Sequence, residues 1–117
     1  MGELTLAEWE RQNEVASQKI QHLLRVLSKS KMLHVLYTLG MKDGGARFSE
    51  IKESSSVDST TLSRRLSELE GIEVITRNEI SINPLAVEYR LTASFDILKP
   101  ILEALLHYGL ESESNNS

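Results

Sequence analysis

The sequence predicts an α+β fold that is mostly helical, and three observations predict it. Residues 58–70 (DSTTLSRRLSELE) set Leu62, Leu66 and Leu69 at helical spacing on one face, with Thr60, Ser63, Arg64 and Ser67 on the other. Two segments rich in β-branched residues follow, Val74–Arg77 and Val87–Thr92, with a short polar stretch between them. Apolar helical patterns flank this unit on both sides. A helix with a small, polar, basic outer face followed by a hairpin is the arrangement of a winged helix-turn-helix, whose second helix enters the DNA major groove. The expected organisation is one winged-helix domain over 1–111. It has an N-terminal helix at 5–28, a helix-turn-helix core at 29–92 and a C-terminal helix at 94–109. A disordered tail follows at 112–117.

A chain of 117 residues fits one domain. With 40% hydrophobic and 26% charged residues it has enough apolar material for a core and is not of disordered composition. The absence of cysteine excludes disulfides, thiolate metal sites and thiol redox sensing. The N-terminus does not resemble a signal peptide, and no apolar run is long enough to span a bilayer, so a cytoplasmic protein without membrane contact is expected. The net charge of −4 argues against a generic polyanion binder. The charge is unevenly spread, however: Arg25–Ser67 carries eight basic and four acidic residues, a local excess where the DNA-reading elements would lie.

Thr5 and Glu8 form a capping box for the first helix, with Leu4 and Trp9 placed as a hydrophobic staple. Leu6, Trp9, Asn13, Ala16, Ile20, Leu23 and Leu27 then recur in steps of three and four, a heptad seam. The seam packs either on its own domain's core or in a dimer interface, where Asn13 would help fix the pairing geometry. The second helix is expected from Lys29 to Gly40, capped by Ser28 or Ser30, with Leu33, Leu36 and Leu39 inward. Lys29 and Lys31 would sit in its first turn against the helix dipole, an arrangement that suits either a docked phosphate or plain solvation. KDGG at Lys42–Gly45 is a turn. Arg47 and Phe48 suit a short strand, Ser49 caps a brief helix carrying Ile51, and Ser54–Ser56 form the next turn. The last helix, from Ser94 to Tyr108, is expected to stop at Gly109 and to be kinked by Pro100. Its apolar residues Phe95, Leu98, Ile101, Leu102, Leu105, Leu106 and Tyr108 cover more of its circumference than one-sided packing needs.

With the leucine stripe inward, Arg64 and Thr60 lie opposite it. Arg64 is the candidate base contact because a guanidinium matches the guanine edge; a phosphate contact or a solvated arginine is the alternative. Ser59, Thr60, Thr61 and Ser63 suit phosphate or base contacts, or ordinary helix-surface polarity. Arg65, nearer the stripe, suits a structural ion pair or a phosphate contact. Arg77 is placed to reach a phosphate, and Lys29, Lys31, Arg47 and Lys52 are further backbone-contact candidates. His22, His34 and His107 lack metal-ligand spacing, and Glu88 and Tyr89 alternate to opposite faces of a strand. No phosphate loop, nucleophile motif or metal signature is present, so neither an enzyme nor a bound cofactor is expected.

The sequence resembles the HxlR-type family of winged-helix transcriptional regulators, relatives of the MarR group. The matching stretches are RFSEI (Arg47–Ile51), TLSRRLSELE (Thr61–Glu70), ITR (Ile75–Arg77), PLAVEYRLT (Pro84–Thr92) and LKPILEALLHYG (Leu98–Gly109). They cover most of the chain after Leu27. The resemblance implies a small cytoplasmic DNA-binding dimer paired through its first and last helices. In that arrangement Trp9, Asn13, Ala16, Ile20 and Leu23 of the first helix meet Leu98, Ile101, Leu102, Leu105 and Tyr108 of the last. Three departures stand out. Ser28–Lys31 replaces the family's Gly-Gly-Lys-Trp stretch, the N-terminal cysteine of thiol-sensing members is missing, and Ala86 stands where the wing often carries arginine.

The expected function is a DNA-binding transcriptional regulator, a homodimer reading a pseudo-palindromic operator with the helix at about 58–70 in the major groove. The alternative is a winged-helix protein-interaction module with little DNA affinity, suggested by the acidic balance and Glu79 in the wing. A small-molecule effector between the dimer helices would be an addition to either, and no ligand signature supports one.

Overall fold

The computed structural model describes residues 5–42 and 45–115. Helix α1 (Leu6–Leu27) starts from the expected capping box: the Thr5 hydroxyl accepts from the Glu8 amide at 3.1 Å, and Glu8 accepts from the Thr5 amide at 2.9 Å. Leu4, the other half of the expected staple, lies outside the described residues. Within this chain α1 buries only Val26 and Leu27, with Leu23 packed partly against the core. Trp9, Asn13, Ala16 and Ile20 are exposed, so the seam is not consumed by the domain's own core.

Helix α2 (Met32–Met41) begins three residues later than expected. Ser28 terminates α1, its hydroxyl donating to the Arg25 carbonyl at 3.0 Å, and Lys31 occupies the N-cap of α2 in the left-handed region at φ 67°. A few residues connect the two helices, and the left-handed residue supplies a turn between them. Neither Ser28 nor Ser30 caps α2; Lys29 lies in the turn rather than in a first helical turn, while Lys31 stays at the helix terminus. The inward face of α2 is Met32, Val35, Leu36 and Leu39; Leu33, expected inward, is exposed.

Strand β1 (Ala46–Arg47) leads directly into α3 (Phe48–Ser55), so Phe48 is helical rather than extended. Arg47, not Ser49, holds the N-cap position, with its amide donating to Glu50 at 2.8 Å. Ser54 and Ser55 extend α3, and the turn is left to Ser56 in the left-handed region at φ 57°. Asp43 and Gly44 of the expected KDGG turn lie outside the described residues.

Helix α4 (Ser59–Gly71) is capped by Asp58, whose carboxylate accepts from the Thr61 amide at 2.9 Å and from its hydroxyl at 2.8 Å. Strands β2 (Ile75–Ile82) and β3 (Leu85–Leu91) form the wing hairpin, longer than the sequence suggested because the pairing runs through the polar stretch. The sheet is antiparallel with order β1-β3-β2; Arg77 pairs with Tyr89, and a bulge interrupts the ladder between Glu79 and Ser81. Gly45, at φ 111°, crosses over the Glu88–Arg90 ion pair of β3 so closely that a Cβ there would lie 2.8 Å from the Glu88 carboxyl carbon.

Helix α5 (Ala93–Asn115) runs through Gly109 instead of ending there, and it takes in most of the expected tail; Asn116 and Ser117 lie outside the described residues. One exposed glycine costs a helix only about 1 kcal/mol, too little to end it without a competing cap. Phe95, Leu98 and Leu102 of α5 join the core formed by Met32, Leu36, Ile51, Leu62, Leu66 and their neighbours. Leu98 and Leu102, expected in a dimer interface, pack against the core of their own protomer. Ile97, Ile101, Leu105, Leu106, Tyr108 and Leu110 remain exposed.

Two outcomes follow from this packing. Leu62, with no exposure, has no room to be replaced without a cavity, so Leu62→Ala should lower the unfolding free energy by about 2–5 kcal/mol in denaturant titration. The Asp58 carboxyl is held below its ordinary pKa of 3.8, first by the Thr61 amide and then by the Thr61 hydroxyl. Its contribution to stability is complete above that ordinary value and disappears as pH falls through the lower folded-state value. Asp58→Ala should thus reduce the melting temperature at neutral pH, with the deficit shrinking in strongly acidic buffer.

Candidate nucleic-acid interface

The three leucines of α4 are at most 1% exposed, and that burial fixes the rotation of the helix about its axis. At about 100° per residue the opposite side falls to Thr60, Ser63, Arg64 and Ser67, all exposed. This face and the turn before α2 border an open cleft of about 620 Å³, lined by Lys29, Thr60, Ser63, Arg64, Arg65, Ser67 and Glu68. The cleft brings together Lys29, Thr60, Ser63, Arg64 and Arg65 from the set chosen on sequence. Ser59, Thr61, Lys31, Arg47, Lys52 and Arg77 are not among its lining residues.

The cations of the cleft differ in their freedom. Arg64 makes no ion pair among the described residues and is exposed. Arg65 is fixed: its Nε donates to the Ser30 carbonyl at 2.7 Å, its guanidinium pairs with Glu68, and its side chain is only 13% exposed. It fastens α4 to the turn before α2 through a structural ion pair, one of the two roles its position near the leucine stripe allowed. Lys29 Nζ lies 3.3 Å from the second oxygen of the same Glu68 carboxylate. Burial raises the pKa of Glu68, but hydrogen bonds and charge from Arg65 and Lys29 outweigh it and hold the carboxyl below its ordinary value. Thr61 is half-buried with its hydroxyl given to Asp58, so it serves the cap rather than a free contact.

Glu68 is the residue that sequence reasoning missed. Its spacing of three from Arg65 signals an intrahelical pair, but its second partner comes from the turn before α2, which periodicity does not reveal.

The wing is poor in positive charge. Residues 78–87 contain no lysine or arginine. Ala86 is buried, while Ile80, Ile82 and Leu85 are exposed towards the hairpin end. Arg77 is exposed on β2, nearer the base of the hairpin. Among the described residues no group of His, Cys, Asp or Glu is arranged to hold a metal ion, and no helix is long and apolar enough to cross a membrane.

Comparison with known proteins places this geometry. The family model described as HxlR-like helix-turn-helix matches residues 26–116. An uncharacterized HTH-type transcriptional regulator of Halalkalibacterium halodurans is 38% identical over 88 residues, covering 74% of this chain and 76% of the relative. Among solved structures, diamide-treated YodB from B. subtilis superposes with a TM-score of 0.68 at 26% identity, over 80% of this chain and 91% of that one. A putative HTH-type regulator, YtcD, gives a TM-score of 0.68 at 28% identity, over 81% and 96% of the two chains. The winged helix with its flanking α1 and α5, and the match across nearly all of the chain from Val26 onward, make this protein a member of the HxlR-like helix-turn-helix family.

Proposed function

We propose that this chain is a DNA-binding transcriptional regulator that acts as a homodimer on a pseudo-palindromic operator, with α4 in the major groove. The observation that carries the reading is the outer face of α4: Arg64, exposed and in no ion pair among the described residues, stands among three small hydroxyl residues, on a helix whose rotation is set by full burial of its opposite side. A guanidinium so placed matches O6 and N7 of guanine, and hydroxyls at the flanking positions suit phosphates or base edges. Ser59, at the first position of α4, joins this set through the helix N-terminus. Lys31, Arg47, Lys52 and Arg77 are all exposed and serve, if they touch DNA, as backbone contacts.

Pairing is supported by the apolar surface that the protomer leaves uncovered. Leu6, Trp9, Val15, Ile20 and Leu24 on α1, and Ile97, Ile101, Leu105, Leu106, Tyr108 and Leu110 on α5, are all at least half exposed. An apolar groove of about 570 Å³ runs between α2 and α5, with Leu33, Tyr37, Met41, Leu105 and Leu106 in its walls. Exposed apolar surface of this extent on a small chain marks an interaction site. An isologous contact through α1 and α5 covers it and sets two α4 helices about 34 Å apart, or a multiple of that, to match successive major grooves.

The second reading, a winged-helix module that binds protein with little DNA affinity, draws on the exposed Ile80, Ile82 and Leu85 of the wing and the net charge of −4. Selection of bound sites from random DNA separates the two: the regulator enriches an inverted repeat, and the interaction module enriches nothing.

Arg64→Ala is expected to weaken operator binding by about 1–3 kcal/mol and to relax preference at one base position per half-site. Uniform weakening across sequences would make Arg64 a phosphate contact instead. Replacing both Ile20 and Leu105 by glutamate, at positions 53% and 54% exposed, is expected to give a folded monomer that has lost operator binding. Sedimentation, circular dichroism and DNA titration report the three properties separately. A folded monomeric variant with full affinity would overturn the dimeric mechanism.

A further inference from the structure

Glu68 occupies a position in the cleft that is unfavourable for a DNA reader unless it has a task. It projects a carboxylate into a surface otherwise lined by cations and hydroxyls, where a phosphate backbone would approach. Its two oxygens are separately engaged, one by the Arg65 guanidinium and the other by Lys29 Nζ at 3.3 Å. That is the arrangement in which a phosphate takes two basic side chains.

We propose that Glu68 is an internal competitor for the DNA phosphate: it holds Lys29 in the unbound protein, so that backbone attraction is weakened until base contacts pull the helix into the groove. The inference rests on the DNA-binding reading above and deepens it by naming the residue that sets the strength of sequence-independent binding.

The two partners of Glu68 are not equivalent. Arg65 keeps a second anchor, the Ser30 carbonyl at 2.7 Å, and its side chain is 13% exposed, so it stays in place whether or not Glu68 is charged. Lys29 is 48% exposed and makes no other ion pair among the described residues. Neutralising Glu68 therefore releases one cation, Lys29, towards solvent and the cleft. A cation newly available to a phosphate adds about 0.9 to the salt dependence of log K, equivalent to about eightfold in affinity at 0.1 M salt. In a chain of net charge −4 one cation at the contact face is a large share of the local field.

The test is a double-mutant cycle on random-sequence duplex DNA, read as affinity and as its slope against salt concentration, with Glu68→Gln, Lys29→Ala and the double variant beside the wild type. Glutamine keeps an oxygen to accept from Arg65, and thermal melting checks that the α2–α4 junction is intact. Glu68→Gln is expected to bind random DNA about eightfold more tightly at 0.1 M salt, with a slope steeper by about 0.9. Lys29→Ala alone should change binding less than twofold, and Lys29→Ala in the Glu68→Gln background should erase the gain. Three results overturn the proposal: unchanged or weaker binding by a folded Glu68→Gln protein, a gain that persists without Lys29, or an equal loss from Lys29→Ala in both backgrounds. Failure of every protein, wild type included, to bind any DNA saturably at low salt would instead refute the DNA-binding reading itself.

Discussion

The burial of Leu62, Leu66 and Leu69 is the constraint on which the rest of the interface depends. Each fully buried leucine is worth about 1.5–3 kcal/mol relative to solvent, and all three are at most 1% exposed. A rotation of α4 by one residue would expose a leucine or bury Arg64, and either would cost more than the helix surface could return. Asp58 sets where the helix begins and the leucines set how it is turned, so the outward direction of Thr60, Ser63 and Arg64 is a by-product of core packing. The outer face of α4 needs no stabilising contacts of its own, and Arg64 makes no ion pair among the described residues.

A second fastening acts at one point. Arg65 sits at the border between the buried stripe and the cleft, where its aliphatic stem is covered and its guanidinium reaches the Ser30 carbonyl. The turn before α2 and α4 are thereby joined by a hydrogen bond to a backbone atom, which depends on the path of the chain and not on the identity of Ser30. Glu68 completes the charge of that junction and draws Lys29 into it. The same three side chains thus contribute to the packing of two helices and to the potential of the cleft.

The parts of this structure legible in the sequence are those specified locally. The α1 capping box, the stripe of α4 and the two strand segments of the wing each depend on residues a few positions apart; the box and the stripe stand where their pattern placed them, and the strands pair over a longer stretch than theirs marked. The start of α2 was not legible, because the left-handed turn at Lys31 carries no glycine or asparagine to mark it. Gly109 misled for the opposite reason: a stop signal acts only where the next residues gain by leaving the helix. The apolar breadth of α5 was visible, but which of its residues the protomer keeps was not. Phe95, Leu98 and Leu102 turn to the core while Ile101 and Leu105 do not, a division that depends on where α2 lies. Of the site, the exposed face of α4 was readable; the engagement of Lys29 by Glu68 was not, because it joins side chains distant in sequence.

The distribution of charge and apolar surface bears on how such a chain could be selective. A wing without cations from 78 to 87 and a cleft whose Lys29 is already paired leave a single module with few phosphate contacts. Sequence-independent affinity grows with the number of those contacts, so each protomer alone would bind any DNA weakly. The proposed coupling of two modules through the exposed faces of α1 and α5 would make the second contact intramolecular and raise affinity by effective concentration, without adding backbone attraction. Under that arrangement the gain falls only on sites that present two correctly spaced half-sites. On the proposed reading, an acidic chain with a weakly charged wing is no obstacle to DNA recognition: low charge at each module would shift discrimination onto base contacts of α4 and the geometry of a pair.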